Sequence, residues 1–226
     1  MPSQADPSLT RILFIGNSYT SRNQLPRLIA QIAAGAEHPR RVDVDSIVAG
    51  GASLKRHWNA GVAQKALEAT PWNFVVLQEQ STLPLKNAKR YHENVRLFAP
   101  EIAKRGARTV LYLTWSRQQS PTSQGDLTRA VEEIGAEIKA LVVPVGPAWH
   151  TAMQENAGLN LYVDDGSHPS VAGSYLAACV FFVSLFDQPT RDASVFRSLQ
   201  LDGAIAARLQ KIAWDHRAGG RLAGVT

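Results

Sequence analysis

Short apolar runs alternate along this chain with longer segments whose apolar positions recur every three to four residues. Arg11-Ile12-Leu13-Phe14-Ile15, stopped by Gly16, predicts a first strand. Leu25 to Ala34 then carries apolar residues at 25, 28, 29 and 32, one helical face, with Gly35 in the place of a C-cap. Val42 to Ala49 predicts a second strand ending at Gly50-Gly51. Leu54 to Glu68 has a helical period, and Phe74-Val75-Val76-Leu77 reads as a buried third strand. A basic helical stretch follows from about Lys86 to Arg105, with a break expected near Pro100. Thr109 to Leu113 is the fourth strand, Leu127 to Leu141 an amphipathic helix, and Leu141-Val142-Val143 with Val145 the fifth strand. Val171 to Phe186 is apolar almost all round, so it is expected to pack deep against a sheet. Leu201 to Trp214 closes the chain as another amphipathic helix.

Strands separated by helices of this length form βαβ units. The pattern therefore predicts an α/β fold with five parallel strands and helices on both faces. The loops after Ile15, Ala49, Leu77 and Leu113 all leave the carboxyl ends of strands, the edge at which open α/β sheets bind ligands. Chemistry is expected in those loops.

Composition narrows the classes without naming one. The 226 residues are 45% hydrophobic and 19% charged, ordinary for a globular chain. They show no internal repeat, low-complexity tract or linker, so one domain is expected over 1–226, with a C-terminal helical segment from 187 onward. The single cysteine, Cys179, forms neither an intramolecular disulfide nor a Cys-rich zinc site. No apolar run reaches the roughly 18–20 residues of a membrane span. Met1 to Pro7 lacks a basic segment followed by an apolar one, so the chain reads as cytoplasmic; a secreted or periplasmic form that had lost its leader would read the same. Lys and Arg total 24 against 19 Asp and Glu, a net charge of +5. The basic residues between Lys86 and Arg108 are interleaved with Glu93 and Glu101, which describes a solvated helical face and no nucleic-acid footprint.

Two short stretches carry candidate chemistry. Gly16-Asn17-Ser18-Tyr19-Thr20 follows the first strand, and a serine at such a turn can expose its hydroxyl as a nucleophile. On this pentapeptide alone a simple capping or turn role for Ser18 is the favoured reading. Near the other end, Asp164-Asp165-Gly166-Ser167-His168-Pro169 places Asp165 three residues before His168, with Pro169 suited to the first position of the next helix. A carboxylate holding one imidazole nitrogen while the other faces a substrate is half of a Ser-His-Asp triad. An Asp-to-backbone turn is the competing reading. One His beside two Asp is a poor metal set, and no P-loop pattern occurs.

The motifs together are more specific than either alone. Gly16-Asn17-Ser18, Gly50-Gly51-Ala52-Ser53, Gln78-Glu79-Gln80-Ser81 and Asp165-x-x-His168 follow strands one, two and three and precede the last large helix, in that order. Over about residues 10–186 the chain resembles the SGNH hydrolases, also called the GDSL esterase/lipase superfamily. The resemblance implies a three-layer α/β/α sandwich of flavodoxin-like topology. It implies an acyl-enzyme esterase with neither metal nor organic cofactor. The family's nucleophile maps onto Ser18, and its Asp-x-x-His onto Asp165 and His168. The oxyanion hole maps onto the N–H groups of Ser18 and Gly51 and a third-block side chain. That block departs from the family's Gly-x-Asn-Asp. A Gln amide offers the same donor one methylene further out; alignment favours Gln80, with Gln78 as the second choice.

The implied substrate is a small-molecule or carbohydrate ester with a short acyl group, acetyl foremost, because the loops between motifs are short. Tyr19, His57, Trp115 and Trp149 are candidate pocket residues, with packing as the competing role. Trp149 is expected in the loop after strand five. His38, His92, His150 and His216 have no partner pattern, and Cys179 reads as an inert small hydrophobe. Two other readings stay open. One is an SGNH-fold ligand-binding protein without catalysis. The other is an FMN-binding, flavodoxin-like electron carrier, which would leave Asp165 and His168 unused.

Overall fold

The computed structural model describes residues 8–155, 159–191 and 193–218. The N-terminal heptapeptide read above for a leader lies outside them. Five parallel strands, β1 (Leu9–Gly16), β2 (Arg41–Val48), β3 (Phe74–Leu77), β4 (Arg108–Leu113) and β5 (Leu141–Pro144), form one sheet in the order β2-β1-β3-β4-β5. The chain crosses from one side of β1 to the other between β2 and β3. This reversal of strand order opens a crevice at the carboxyl edge, between the loops that follow β1 and β3.

Period-two alternation within β1 explains both its apolar run and the two cores. Ile12 and Phe14 point into one face, with Val76, Tyr112 and Val143. Leu13 and Ile15 point into the other, with Val75, Leu77, Leu111 and Leu113. The first face is covered by α2 (Leu25–Ala34), α8 (Val145–Glu155), α9 (Val171–Phe186) and α11 (Gly203–Asp215). The second is covered by α3 (Leu54–Ala60), α4 (Val62–Ala69), α6 (Ala88–Lys104) and α7 (Gln124–Glu137). Short helices α1 (Ser18–Ser21), α5 (Leu83–Lys86) and α10 (Ala193–Ser198) complete the chain. As its composition required, α9 is buried from Gly173 to Leu185. Cys179 sits inside it, where burial pushes the thiol pKa up to about 12.

Several elements differ from the sequence expectation, each for a local reason. The helix expected over 54–68 is two, because Gly61 turns left-handed (φ 73°) between α3 and α4. Helix α6 is not interrupted at Pro100, which lies exposed within it. One lost ladder bond is outweighed by the buried stripe of Tyr91, Val95, Phe98 and Ile102. Strand β5 ends at Pro144, and Val145 opens α8, so Trp149 is helical and not in a loop. Pro147 falls in the first turn of α8, where the missing N–H has no partner to lose. Pro169 does not begin α9. Ser170 caps that helix by accepting from Gly173 N–H (3.1 Å), while Pro169 makes an isolated bridge with Tyr162.

Candidate active site

Ser18 is the first residue of α1, directly beyond β1. Asn17 stands at the N-cap with extended backbone, and its Oδ1 accepts from Tyr19 N–H at 3.1 Å. The half-buried Ser18 Oγ lies 2.8 Å from His168 Nε2. On the other side of the ring, His168 Nδ1 lies 2.6 Å from Asp165 Oδ2. Asp165 Oδ1 accepts the backbone N–H groups of Ser167 and His168, each at 2.8 Å. The His168 N–H and then its imidazole, with Ser167 N–H assisting, hold the Asp165 carboxyl down at about 2. The turn thus locks its own carboxylate against the imidazole. Asp164, exposed beside it, has no hydrogen bond among the described residues. The structure therefore brings Ser18 onto the Asp165–His168 pair across about 150 positions of sequence.

The turn under Ser18 is pinned from β3. Gln78 is fully buried; its Oε1 accepts from Asn17 N–H (2.8 Å) and Thr20 Oγ1 (3.0 Å), and its Nε2 donates to Glu79 O. Its side chain is spent holding the turn. Gly16 permits this approach, since a Cβ there would come within 2.6 Å of both Gln78 Oε1 and Thr20 Oγ1. Gln80 is half-buried. Its Oε1 accepts from the N–H and hydroxyl of Thr82 (3.0 and 3.1 Å), and its Nε2 has no acceptor among the described residues. The N–H groups of Ser18 and Gly51 are likewise without an acceptor there. Gly51 is exposed and left-handed (φ 62°), a conformation suited to glycine.

The four candidate pocket residues are all buried. His57 is 5% exposed and donates from Nε2 to Gly16 O at 2.7 Å, with burial lowering its pKa against the pull of that bond. It braces the end of β1. Tyr19, Trp115 and Trp149 form a column beneath the turns. Tyr19 stacks on Trp115 (4.9 Å between centroids, 6° between planes), and Trp115 stacks on Trp149 (3.9 Å, 10°). Tyr162 meets Trp149 edge-on at 5.1 Å. The column grips the His168 turn at Ser167: Tyr19 Oη lies 2.6 Å from Ser167 Oγ, and Trp115 Nε1 donates to Ser167 O at 2.9 Å. Trp149 ends the stack with 1% exposure, and it also lines a small cavity with Ser116, Gln118 and Met153. Trp149→Ala is expected to destabilise the fold by about 3–5 kcal/mol in urea unfolding, the range for deleting a buried aromatic ring.

Sequence reasoning missed two polar residues. Asn23, left-handed (φ 51°), donates from Nδ2 to Ser170 O (3.1 Å) and Ser174 Oγ (2.8 Å), so it ties the segment after Ser18 to the start of α9. Glu79 is 6% exposed and gathers donors from three segments. Its place between Gln78 and Gln80 was the one signal available. Among the described residues no three His, Cys, Asp or Glu side chains gather as a cation site, and no helix is long and apolar enough to cross a membrane.

The sequence matches no protein-family model and none of the curated proteins. Among solved structures, the chain is 30% identical to a protein from Slackia heliotrinireducens assigned to the SGNH hydrolases. That match covers 78% of this chain and 99% of the other, with a TM-score of 0.66. A DUF4886 family protein from Bacteroides uniformis aligns over 92% and 94% of the two chains at 18% identity, with a TM-score of 0.74. Axe2, an acetylxylan esterase from Geobacillus stearothermophilus, aligns over 76% and 92% at 16% identity, with a TM-score of 0.62. The last two likenesses are of fold.

Proposed function

The chain belongs to the SGNH hydrolases, and from that membership we propose a serine esterase that hydrolyses carboxylic esters carrying short acyl groups, O-acetyl groups on carbohydrate among them. The observation that carries this reading is the unbroken relay from Ser18 Oγ through the His168 ring to Asp165, at 2.8 and 2.6 Å. In the proposed reaction His168 Nε2 takes the Ser18 proton as Oγ attacks the ester carbonyl. Asp165 fixes the tautomer that leaves Nε2 unprotonated and stabilises the imidazolium that forms. His168 then returns the proton to the departing alcohol. Water, activated by the same nitrogen, releases the acid from the acyl-enzyme.

The oxyanion that develops in each step is assigned to the unpaired N–H groups of Ser18 and Gly51 and to Gln80 Nε2. Gln80 is favoured over Gln78 because its amide nitrogen is unengaged, whereas the Gln78 amide donates to Glu79 O. Gln80→Ala is expected to lower kcat by about a hundredfold or more with little change in KM, since the bond is made to charge present mainly in the transition state. Steady-state kinetics on p-nitrophenyl acetate measure both constants, and an unchanged kcat removes Gln80 from the hole.

The acyl preference rests on the short loops between the motifs, with acetate esters also the activity named for Axe2. A p-nitrophenyl ester series from acetate to octanoate is the test. The expected order is a kcat/KM that falls as the chain lengthens, each methylene changing it by about 1–3 kcal/mol. A maximum at long chains would overturn the short-acyl assignment, and no turnover of any ester would overturn the esterase.

A further inference from the structure

Glu79 is a buried carboxylate that the proposed chemistry does not use. Its Oε1 accepts from Leu54 N–H (3.1 Å) and Gln80 N–H (2.7 Å), and its Oε2 accepts from Asn94 Nδ2 (2.8 Å). Its backbone oxygen takes Asn17 Nδ2 (3.5 Å) and Gln78 Nε2. No Lys, Arg or His pairs with it among the described residues. Burial raises its pKa, against the three donors that favour the charged form, and the buried Tyr91 hydroxyl of α6 shares its surroundings. An ionisable group in such a place is costly unless its acceptors are needed.

The segments it joins explain the need. Leu54 follows the Gly50-Gly51-Ala52-Ser53 loop, Gln80 opens the loop beyond β3, Asn94 lies on α6, and Asn17 precedes the nucleophile. Asn17 Nδ2 also donates to Ala52 O (3.1 Å), which closes the circuit. The second and third loops leave β2 and β3, which lie on opposite sides of β1. We propose that Glu79 is the positioning residue of the oxyanion hole: its carboxylate draws the Gly51 loop and the Gln80 backbone onto one anchor, fixing where their two donors sit relative to Ser18. The assignment rests on the esterase reading given above. A donor displaced by about 1 Å is worth far less to a developing charge than to a bound ester.

The test compares Glu79→Ala with Glu79→Gln, with Ser18→Ala run beside them. The Gln oxygen can keep the Leu54 and Gln80 bonds, and Asn94 can turn its amide to meet the new nitrogen. Kinetics use p-nitrophenyl acetate, with active sites counted by a fluorophosphonate. Phenylboronic acid, which forms a tetrahedral adduct with a nucleophilic serine, serves as the probe of the hole. Glu79→Ala is expected to lower kcat per active site by about thirtyfold or more with KM within about twofold, and to weaken phenylboronic acid by a similar factor. Glu79→Gln is expected to keep kcat within about threefold. A scaffold role alone would lower the active-site count and leave kcat per site unchanged, and that result overturns the proposal. Equal loss in both variants overturns it too, since acceptors and not charge are held to align the hole. Should Glu79→Ala not fold, Asn94→Ala carries the test, with a severalfold fall in kcat expected and an unchanged kcat decisive against. Full turnover by Ser18→Ala would instead remove Ser18 as the nucleophile on which the proposed mechanism rests, independently of Glu79.

Discussion

Ser18→Ala is expected to abolish ester hydrolysis, with kcat lower by about four to six orders of magnitude, the range for loss of a nucleophile from such a triad. The hydroxyl is half-buried at the first position of α1, and its one bond among the described residues is to His168 Nε2. The turn itself is held by Asn17, Thr20 and Gln78, none of which the substitution touches. Thermal stability is therefore expected to move by no more than the roughly 0.5 kcal/mol typical of a surface change. The decisive measurement pairs p-nitrophenyl acetate turnover with a melting curve on the same sample. A folded Ser18→Ala protein that retains activity, after a host esterase has been excluded, removes Ser18 as nucleophile.

His168→Ala is expected to be nearly as severe, while Asp165→Asn should leave a measurable residue of activity about 10⁴-fold below the parent. The geometry gives the reason for the second value. Asp165 Oδ1 accepts two backbone N–H groups, so an Asn at this position keeps its oxygen there and turns its nitrogen to His168 Nδ1. The imidazole then carries its proton on Nε2, facing Ser18, and cannot accept another. Acid acts on the parent enzyme in a related way. Protonation of His168 removes the acceptor for the serine proton, so kcat/KM should fall on the acid side. Asp165, held at about 2, stays ionised through that limb. Asp164→Asn, at an exposed carboxylate without hydrogen bonds among the described residues, should be mild by comparison. A large loss at Asp164 with a small one at Asp165 would reverse the assignment.

What the sequence determined by itself was whatever depends on short separations. Apolar runs of four to six residues between helical periods were enough for the five parallel strands and the covering helices. Strands buried on both faces carry their signal locally, as in Ile12 to Ile15. The candidate triad was legible too, because Asp165 and His168 are three apart and the Ser18 turn has a recognisable composition. Tertiary structure decided what depends on balance between distant groups. Pro100 stays inside α6 because buried side chains outweigh one missing hydrogen bond. Trp149 moved from a loop to a helix because Pro147 is harmless in a first turn. Tyr19, His57, Trp115 and Trp149 are buried against their neighbours, which the sequence could not show, since an aromatic or a histidine near a strand end has the same sequence signal whether it faces a substrate or a neighbouring ring. Gln78 and Gln80 share a strand-end parity that sequence cannot split. Only the fold turns one amide inward onto the Asn17 and Thr20 donors and leaves the other with its nitrogen unengaged among the described residues, because hydrogen-bond partners some 60 positions away are fixed by packing and not by spacing.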